Sequence, residues 1–421
     1  MNITLAPSTP RGALNAVSSK SAAHRILICS AFADKSTVIR CEHTNRDIEA
    51  TADCLRALGA RIEYRTPYFY VTPISTPTDG AVLNCAESGS TLRFLLPIIP
   101  ALGISARFSM LGRLPERPLS PLYEELVLHG ARLSAQGSNP LLCEGELGGG
   151  EYRIRGDVSS QFISGLLFAL TVSGKGGEII IEGKTESAPY IEMTESALAI
   201  FGAPPHKNGN CYTVLPNSRL ISPEAIDVEG DWSGAAFPLC MGAIGKGEVT
   251  LRGLRADSRQ GDMQIIDLLH RFGADISEKN GEYAVRGGAA LRGIDIDAMQ
   301  IPDLVPVLAV VASVASGTTN IRGVSRLRLK ESDRVTSVCA MLTALGADVS
   351  ADDDSITVRG RSGLAGGTVN TFNDHRIAMS AAVASVVCEG EVCVLDAQCV
   401  SKSYPRFWED ISEGLGVHIK K

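Results

Sequence analysis

The feature that most constrains this chain is a sixfold repetition. Gly-Ala, once Gly-Val, recurs at Gly59, Gly130, Gly202, Gly273, Gly346 and Gly416, at intervals of 71, 72, 71, 73 and 70 residues. In five of the six a leucine stands four positions earlier: Leu55, Leu126, Leu198, Leu269 and Leu342. Leucine and glycine are then about one helical turn apart, which is one face of an amphipathic helix closed by a residue free to take the left-handed conformation. After each glycine there is usually an alternating stretch, a Gly- or Asn-bearing turn and a second alternating stretch, as in ADISEKNGEYAVRG and ADVSADDDSITVRG. These predict strand hairpins.

The other half of each repeat opens on a short polar run, passes through an apolar helix and ends in a strand. Examples are SSQFISGLLFALTVSGKGGEIIIEG and NDHRIAMSAAVASVVCEGEVCVLDA. Helices apolar on nearly every side are expected to be buried. The polar starts lie near Ser21, Ser90, Ser160, Ser233, Asp303 and His375, at intervals of 69, 70, 73, 70 and 72. Six copies therefore fill the 421 residues. Three copies per half match the two domains of roughly 200 residues that core size favours. The division falls in the polar, Pro-containing stretch between about Pro216 and Glu229. Solenoid repeats typically run about 20–45 residues, so longer units predict two closed α/β domains instead.

A net charge of −7 argues against a general nucleic-acid binder, because backbone affinity needs a surplus of Lys and Arg. Eleven cysteines are scattered singly, without CxxC pairs or zinc-ligand spacing, which suits a reducing cytoplasm and no metal. The start, MNITLAPSTPRG, has neither a signal-peptide nor a transit-peptide pattern. The longest apolar runs, such as Leu304 to Ala315, contain Pro306 and fall short of the roughly 20 residues of a membrane span.

The first turn of a helix presents unpaired N–H groups and about half a positive charge, a ready anion site. The polar starts here carry Lys20-Ser21, Ser88-Gly89-Ser90-Thr91, Ser159-Ser160-Gln161 and Asp374-His375-Arg376. Ser and Asp alone read as ordinary N-caps. Lys20, Arg25, His375 and Arg376 are different, since cations in a first turn oppose the helix dipole unless an anion lies between them. Snorkelling surface cations are the plain alternative. A second concentration, SRLRLKESDR, sets Arg326, Arg328, Lys330 and Arg334 around Glu331 and Asp333. Its plain alternative is a solvated helix start with ion pairs worth at most about 1 kcal/mol each.

Over its whole length the chain resembles the enolpyruvyl transferases. The segments that carry the resemblance are SSKSAAHR (18–25), ESGSTLR (87–93), LPERPL (114–119), DVSSQF (157–162), SAPYIEMT (187–194), Pro302-Asp303, LKESDR (329–334), NDHRIAM (373–379) and SKSYP (401–405). The resemblance implies two similar domains, each of three βαβαββ repeats with buried helices (an inside-out α/β barrel). It places residues 1–12 and 227–421 in a lower domain, 13–226 in an upper one, and the ligand site in the interdomain cleft.

The activity it implies is transfer of the enolpyruvyl group of phosphoenolpyruvate to the 5-hydroxyl of shikimate-3-phosphate, on the way to aromatic amino acids. Inorganic phosphate leaves, through a tetrahedral intermediate and without metal or organic cofactor. By motif match, Lys20, Asp303 and Glu331 are the acid and base candidates, with Asp303 placed to take the hydroxyl proton. Phosphoenolpyruvate would be held by Lys20, Gly89, Arg117, Gln161, Arg334, Arg376 and Lys402. Shikimate-3-phosphate would be met by Lys20, Ser21, Arg25, Ser159, Ser160, Gln161, Ser187, Tyr190, Asp303, Arg326 and Lys330, with His375 in support. A cytoplasmic monomer open to glyphosate is the corresponding expectation.

Departures from the family pattern are Glu87, where many members have Asn; Arg326, where an Asn often meets the substrate phosphate; and Ala188, basic in some members. The nearest rival is the sister enzyme that acts on UDP-N-acetylglucosamine. It typically carries a reactive Cys in the loop before Arg117, and MLGRLPERPL has none. A non-catalytic repeat scaffold that binds anions is the rival from another class.

Overall fold

The computed structural model describes residues 1–420. Their contacts separate into two compact units, Lys20–Val228 and a second made of Met1–Ser19 with residues 229–420. Each unit has its own apolar core.

All six glycines of the repeat have positive φ, from 70° to 113°, the region an L side chain resists. The predicted buried helices are Lys20–Ala31, Gly89–Leu95 with its continuation Ile98–Ala101, Ser160–Ser173, Trp232–Ile244, Val305–Val314 and His375–Ser385. Their starts fall within two residues of the polar runs that predict them.

Each repeat folds into one four-stranded sheet. Ala81–Asn84 and Ala106–Ser109 show the scheme: they pair in parallel, which requires a crossover, and the buried helix supplies it. The hairpin Ala131–Leu133 and Leu141–Gly145 then adds on antiparallel. Strands such as Tyr68–Thr72 and Glu151–Arg155 alternate exposed and buried residues, so one sheet face meets water and the other covers the helices.

In the unit formed by Lys20–Val228 the first sheet borrows its outer parallel strand from the unit's far end, Ala225–Asp227 beside Thr37–Arg40. In the other unit the borrowing runs across the whole sequence. Gly12–Asn15 pairs in parallel with Glu248–Arg252, and Ile3–Leu5 lies between Val392–Leu395 and Ile419–Lys420, antiparallel to both. A strand from the N-terminus thus fills the place a hairpin strand occupies in the other five sheets. The expected boundary at residues 12 and 13 falls in this borrowed stretch, and Gly12–Asn15 stays with the unit whose sheet it completes.

Candidate active site

In the unit Lys20–Val228, the predicted cations at helix starts are met by groups of the chain itself. The Lys20 ammonium donates to the Asp47 carboxylate at 2.9 Å. Arg25 is buried, with Nε donating to Thr194 Oγ1 at 2.8 Å, Nη1 to the Ser21 carbonyl at 2.7 Å and Nη2 to the Tyr190 carbonyl at 2.6 Å. Its guanidinium also stands over the Phe94 ring, and burial pulls its pKa down to about 10. Arg25 therefore braces the helix Ala188–Ile200 against the Lys20 helix, and through backbone carbonyls ties together Ser21 and Tyr190.

Gly89 lies where two guanidinium groups converge. A Cβ on it would stand 2.6 Å from Arg93 Nη1 and 2.9 Å from Arg117 Nη1. Arg93 Nη1 donates to Gln161 Oε1 at 3.0 Å, and Gln161 Nε2 donates to Ser90 Oγ at 2.8 Å. Gln161 thus links two helix starts. Ser159 serves as an N-cap, accepting from the Gln161 backbone N–H at 3.3 Å, and Ser160 is the first residue of that helix. Ser187 is buried with φ 54° just before the Ala188–Ile200 helix, a backbone cost that residues at functional sites often carry.

Behind these groups runs a buried hydroxyl chain. His24 Nδ1 shares a hydrogen bond with Thr51 Oγ1 at 2.7 Å, Thr51 with Thr91 Oγ1 at 2.6 Å, and Thr91 Oγ1 donates to Ser88 Oγ at 2.7 Å. Burial lowers the His24 pKa to about 3, so the ring is neutral at pH 7. The chain fixes the Lys20, Asp47 and Gly89 segments relative to one another.

The other unit gathers the second set of candidates around Arg334, which is 1% exposed. Its Nη1 donates to Asp303 at 2.7 Å, Nη2 to Glu331 at 2.6 Å and Nε to Asp374 at 2.8 Å. Arg376 Nη2 lies 3.1 Å from the Asp303 carboxylate and donates to Ser233 Oγ at 2.8 Å, while Nη1 donates to the Asp303 carbonyl at 3.1 Å. Ser233, Asp303 and Arg376 stand at the starts of the three central helices, which pack on one another. Their beginnings meet at Arg376.

This arrangement sets the protonation states. Burial opposes ionisation of Asp303, but Arg376, Lys330 and Arg334 outweigh it and hold the carboxyl well below the usual range. For Arg334 burial is outweighed in the same way by Asp374, Glu331 and Asp303, so it stays charged. Lys330 goes the other way: burial, against the pull of Asp303, lowers its pKa to about 7. The SRLRLKESDR segment is thus a partly buried charge network around the buried Arg334 at its C-terminal end, not a solvated helix start.

Arg326 donates to the Met299 carbonyl at 3.4 Å, beside the Asp303 loop. His375 is buried, with Nδ1 3.8 Å from Asp374. Lys402 closes a turn, Ala397–Lys402, that packs on the His375–Ser385 helix.

Sequence reasoning missed Asp47, Arg93 and Asp374 as site partners. Asp374 had a legible signal, an acid directly before His375-Arg376; Asp47 and Arg93 become partners only once the helices pack.

A family profile described as EPSP synthase (3-phosphoshikimate 1-carboxyvinyltransferase) matches residues 6–411. A 3-phosphoshikimate 1-carboxyvinyltransferase of Clostridium kluyveri is 39% identical over 99% of this chain and 98% of its own. One from Clostridium perfringens is 38% identical with the same coverage. Among solved structures, the EPSP synthase of Acinetobacter baumannii has a TM-score of 0.82 at 24% identity over the whole of both chains. The enolpyruvyl transferase NikO of Streptomyces tendae has 0.79 at 18% identity, over 100% of this chain and 98% of its own. At such identities the structural likeness speaks for the fold, and the curated relatives carry the assignment: this chain belongs to the EPSP synthase family, the 3-phosphoshikimate 1-carboxyvinyltransferases.

Proposed function

We propose that this enzyme moves the enolpyruvyl group of phosphoenolpyruvate onto the 5-hydroxyl of shikimate-3-phosphate and releases inorganic phosphate, with the two charged clusters as its machinery. The observation that carries this reading is Asp303: a partly buried carboxylate kept ionised between Arg334 and Arg376. An ionised carboxylate accepts a hydroxyl proton, and the flanking guanidiniums suit phosphate and carboxylate groups. When an anion engages Arg334 and Arg376, it takes up part of the charge that holds Asp303 acidic. Asp303 becomes a stronger base with substrate bound than without.

Lys20 and Glu331 are the acid candidates for protonating the methylene carbon and for the elimination step. Each has an ion partner, Asp47 and Arg334 respectively. Gly89, Arg93, Arg117 and Gln161 form a compact donor set suited to phosphoenolpyruvate, and Arg334, Arg376 and Lys402 supply further positive charge. Ser21, Arg25, Ser159, Ser160, Ser187, Tyr190, Arg326 and Lys330 are assigned to shikimate-3-phosphate, Arg25 chiefly by holding Ser21 and Tyr190 in place. Charge-assisted hydrogen bonds of this kind are worth about 1.5–3 kcal/mol each.

The test is phosphate release from phosphoenolpyruvate with each acceptor in turn. Release is expected with shikimate-3-phosphate and at background with UDP-N-acetylglucosamine; the reverse pattern would assign the chain to the sister reaction. Gel filtration coupled to light scattering is expected to give the mass of one chain, 44.6 kDa.

A further inference from the structure

Asp262 is a buried acid that the reaction described above does not use. It lies in the short turn Gly261–Gln264, 2% exposed, and neither carboxylate oxygen reaches a hydrogen-bond partner at good geometry. The turn packs on the Trp232–Ile244 helix. The charged and titratable groups facing Asp262 are Asp303, Arg376 and Asp231, with the Ser233 hydroxyl beside it. Asp262 therefore shares Arg376 with Asp303, and Ser233, which accepts from Arg376 Nη2 at 2.8 Å, stands between them.

A carboxylate this buried, with only the Ser233 hydroxyl beside it, is costly to ionise, and the Asp303 charge adds to that cost. These two effects outweigh Arg376 and Ser233 and push Asp262 up to about 7. At neutral pH the group is poised between a neutral acid, which leaves the Arg376 charge turned to Asp303 and to incoming anions, and a carboxylate, which competes for it.

We infer that Asp262 is a positioning residue that sets how much of the Arg376 charge is available to an anionic substrate, so that losing its proton weakens phosphoenolpyruvate binding. The inference rests on the proposed reaction for its kinetic consequence, but not for the state of the carboxyl. Anion binding next to Arg376 disfavours the ionised acid, and the complex takes up proton at Asp262. The linkage runs one way: affinity for phosphoenolpyruvate is higher below pH 7 and falls as pH rises through it.

The experiment compares the wild type with Asp262→Asn, which is permanently neutral at nearly the same shape. The ratio of the two KM values for phosphoenolpyruvate cancels the ionisation of the substrate itself. That ratio is expected near one at pH 6 and about tenfold in favour of Asp262→Asn at pH 8.5, the size of effect that one nearby charge exerts through a screened site, with kcat changed little. A ratio that does not move with pH, or a variant weaker at both pH values, overturns the inference.

If Asp262→Asn fails to fold, carbon-13 titration of aspartate-labelled wild type decides. One carboxyl titrating near pH 7 is expected, and none above pH 5.5 overturns the inference. If the wild type releases no phosphate at all, the reaction assignment fails while the carboxyl titration still stands or falls by itself.

Discussion

Gly89 illustrates how a single hydrogen atom in place of a side chain shapes a site. A methyl group there would press on the guanidiniums of Arg93 and Arg117 at 2.6 and 2.9 Å. Both are flexible side-chain ends, so the fold tolerates the change while the donor set moves. Gly89→Ala is expected to raise the KM for phosphoenolpyruvate about tenfold, the cost of displacing roughly one charged hydrogen bond, with a melting temperature within a few degrees of wild type. In the proposed reaction Lys330 would carry the pH dependence of binding to the other substrate. Its folded pKa of about 7 lies below the usual lysine value, so its charge is present below pH 7 and lost as pH rises through it. Calorimetry is expected to show Lys330→Met weakening shikimate-3-phosphate binding strongly at pH 6 and little at pH 8.5. Equal losses at both pH values would remove Lys330 from phosphate recognition.

At the scale of elements, the chain supplies acids that hold the basic residues of the helix starts in place. Asp374 is fully buried, caps the His375–Ser385 helix through the Arg376 N–H at 3.0 Å and pairs with Arg334. Removing one partner of a buried ion pair costs about 3–5 kcal/mol. Asp374→Ala is expected to lower the stability of its unit by that order in urea unfolding followed by Trp fluorescence, since both tryptophans, Trp232 and Trp408, belong to it. The helix starts, the hairpins and the closing glycines were legible in the sequence because each stems from periodicity and backbone conformation over one or two turns. The motif match likewise brought Asp303, Glu331, Arg334 and Arg376 to one list, and they do lie together. What stayed hidden was partnership at a distance: Lys20 with Asp47, Arg93 with Gln161, and Asp262 with the Asp303 and Arg376 pair. These depend on which helix packs on which, and local pattern does not encode that.

Across the whole molecule, the chain's first strand lies in a sheet with its last, Thr4 opposite Lys420. That pairing buries Ile3 and Leu5, each worth about 1.5–3 kcal/mol. Deleting residues 1–6 is expected to remove hydrogen-exchange protection from Val392–Leu395 and leave that of Tyr68–Thr72, in the other unit, unchanged. Loss of protection in both would mean that the units do not hold their cores independently. In the proposed reaction the charge clusters at the helix starts perform acid-base chemistry on bound anions, and Asp303 is the group on which that chemistry most depends. The most direct measurement is steady-state phosphate release by Asp303→Asn beside calorimetric binding of shikimate-3-phosphate. A fall in kcat of about 10²- to 10⁴-fold, the usual worth of a general base, with binding largely kept, is the predicted result. Turnover close to that of the wild type would contradict it.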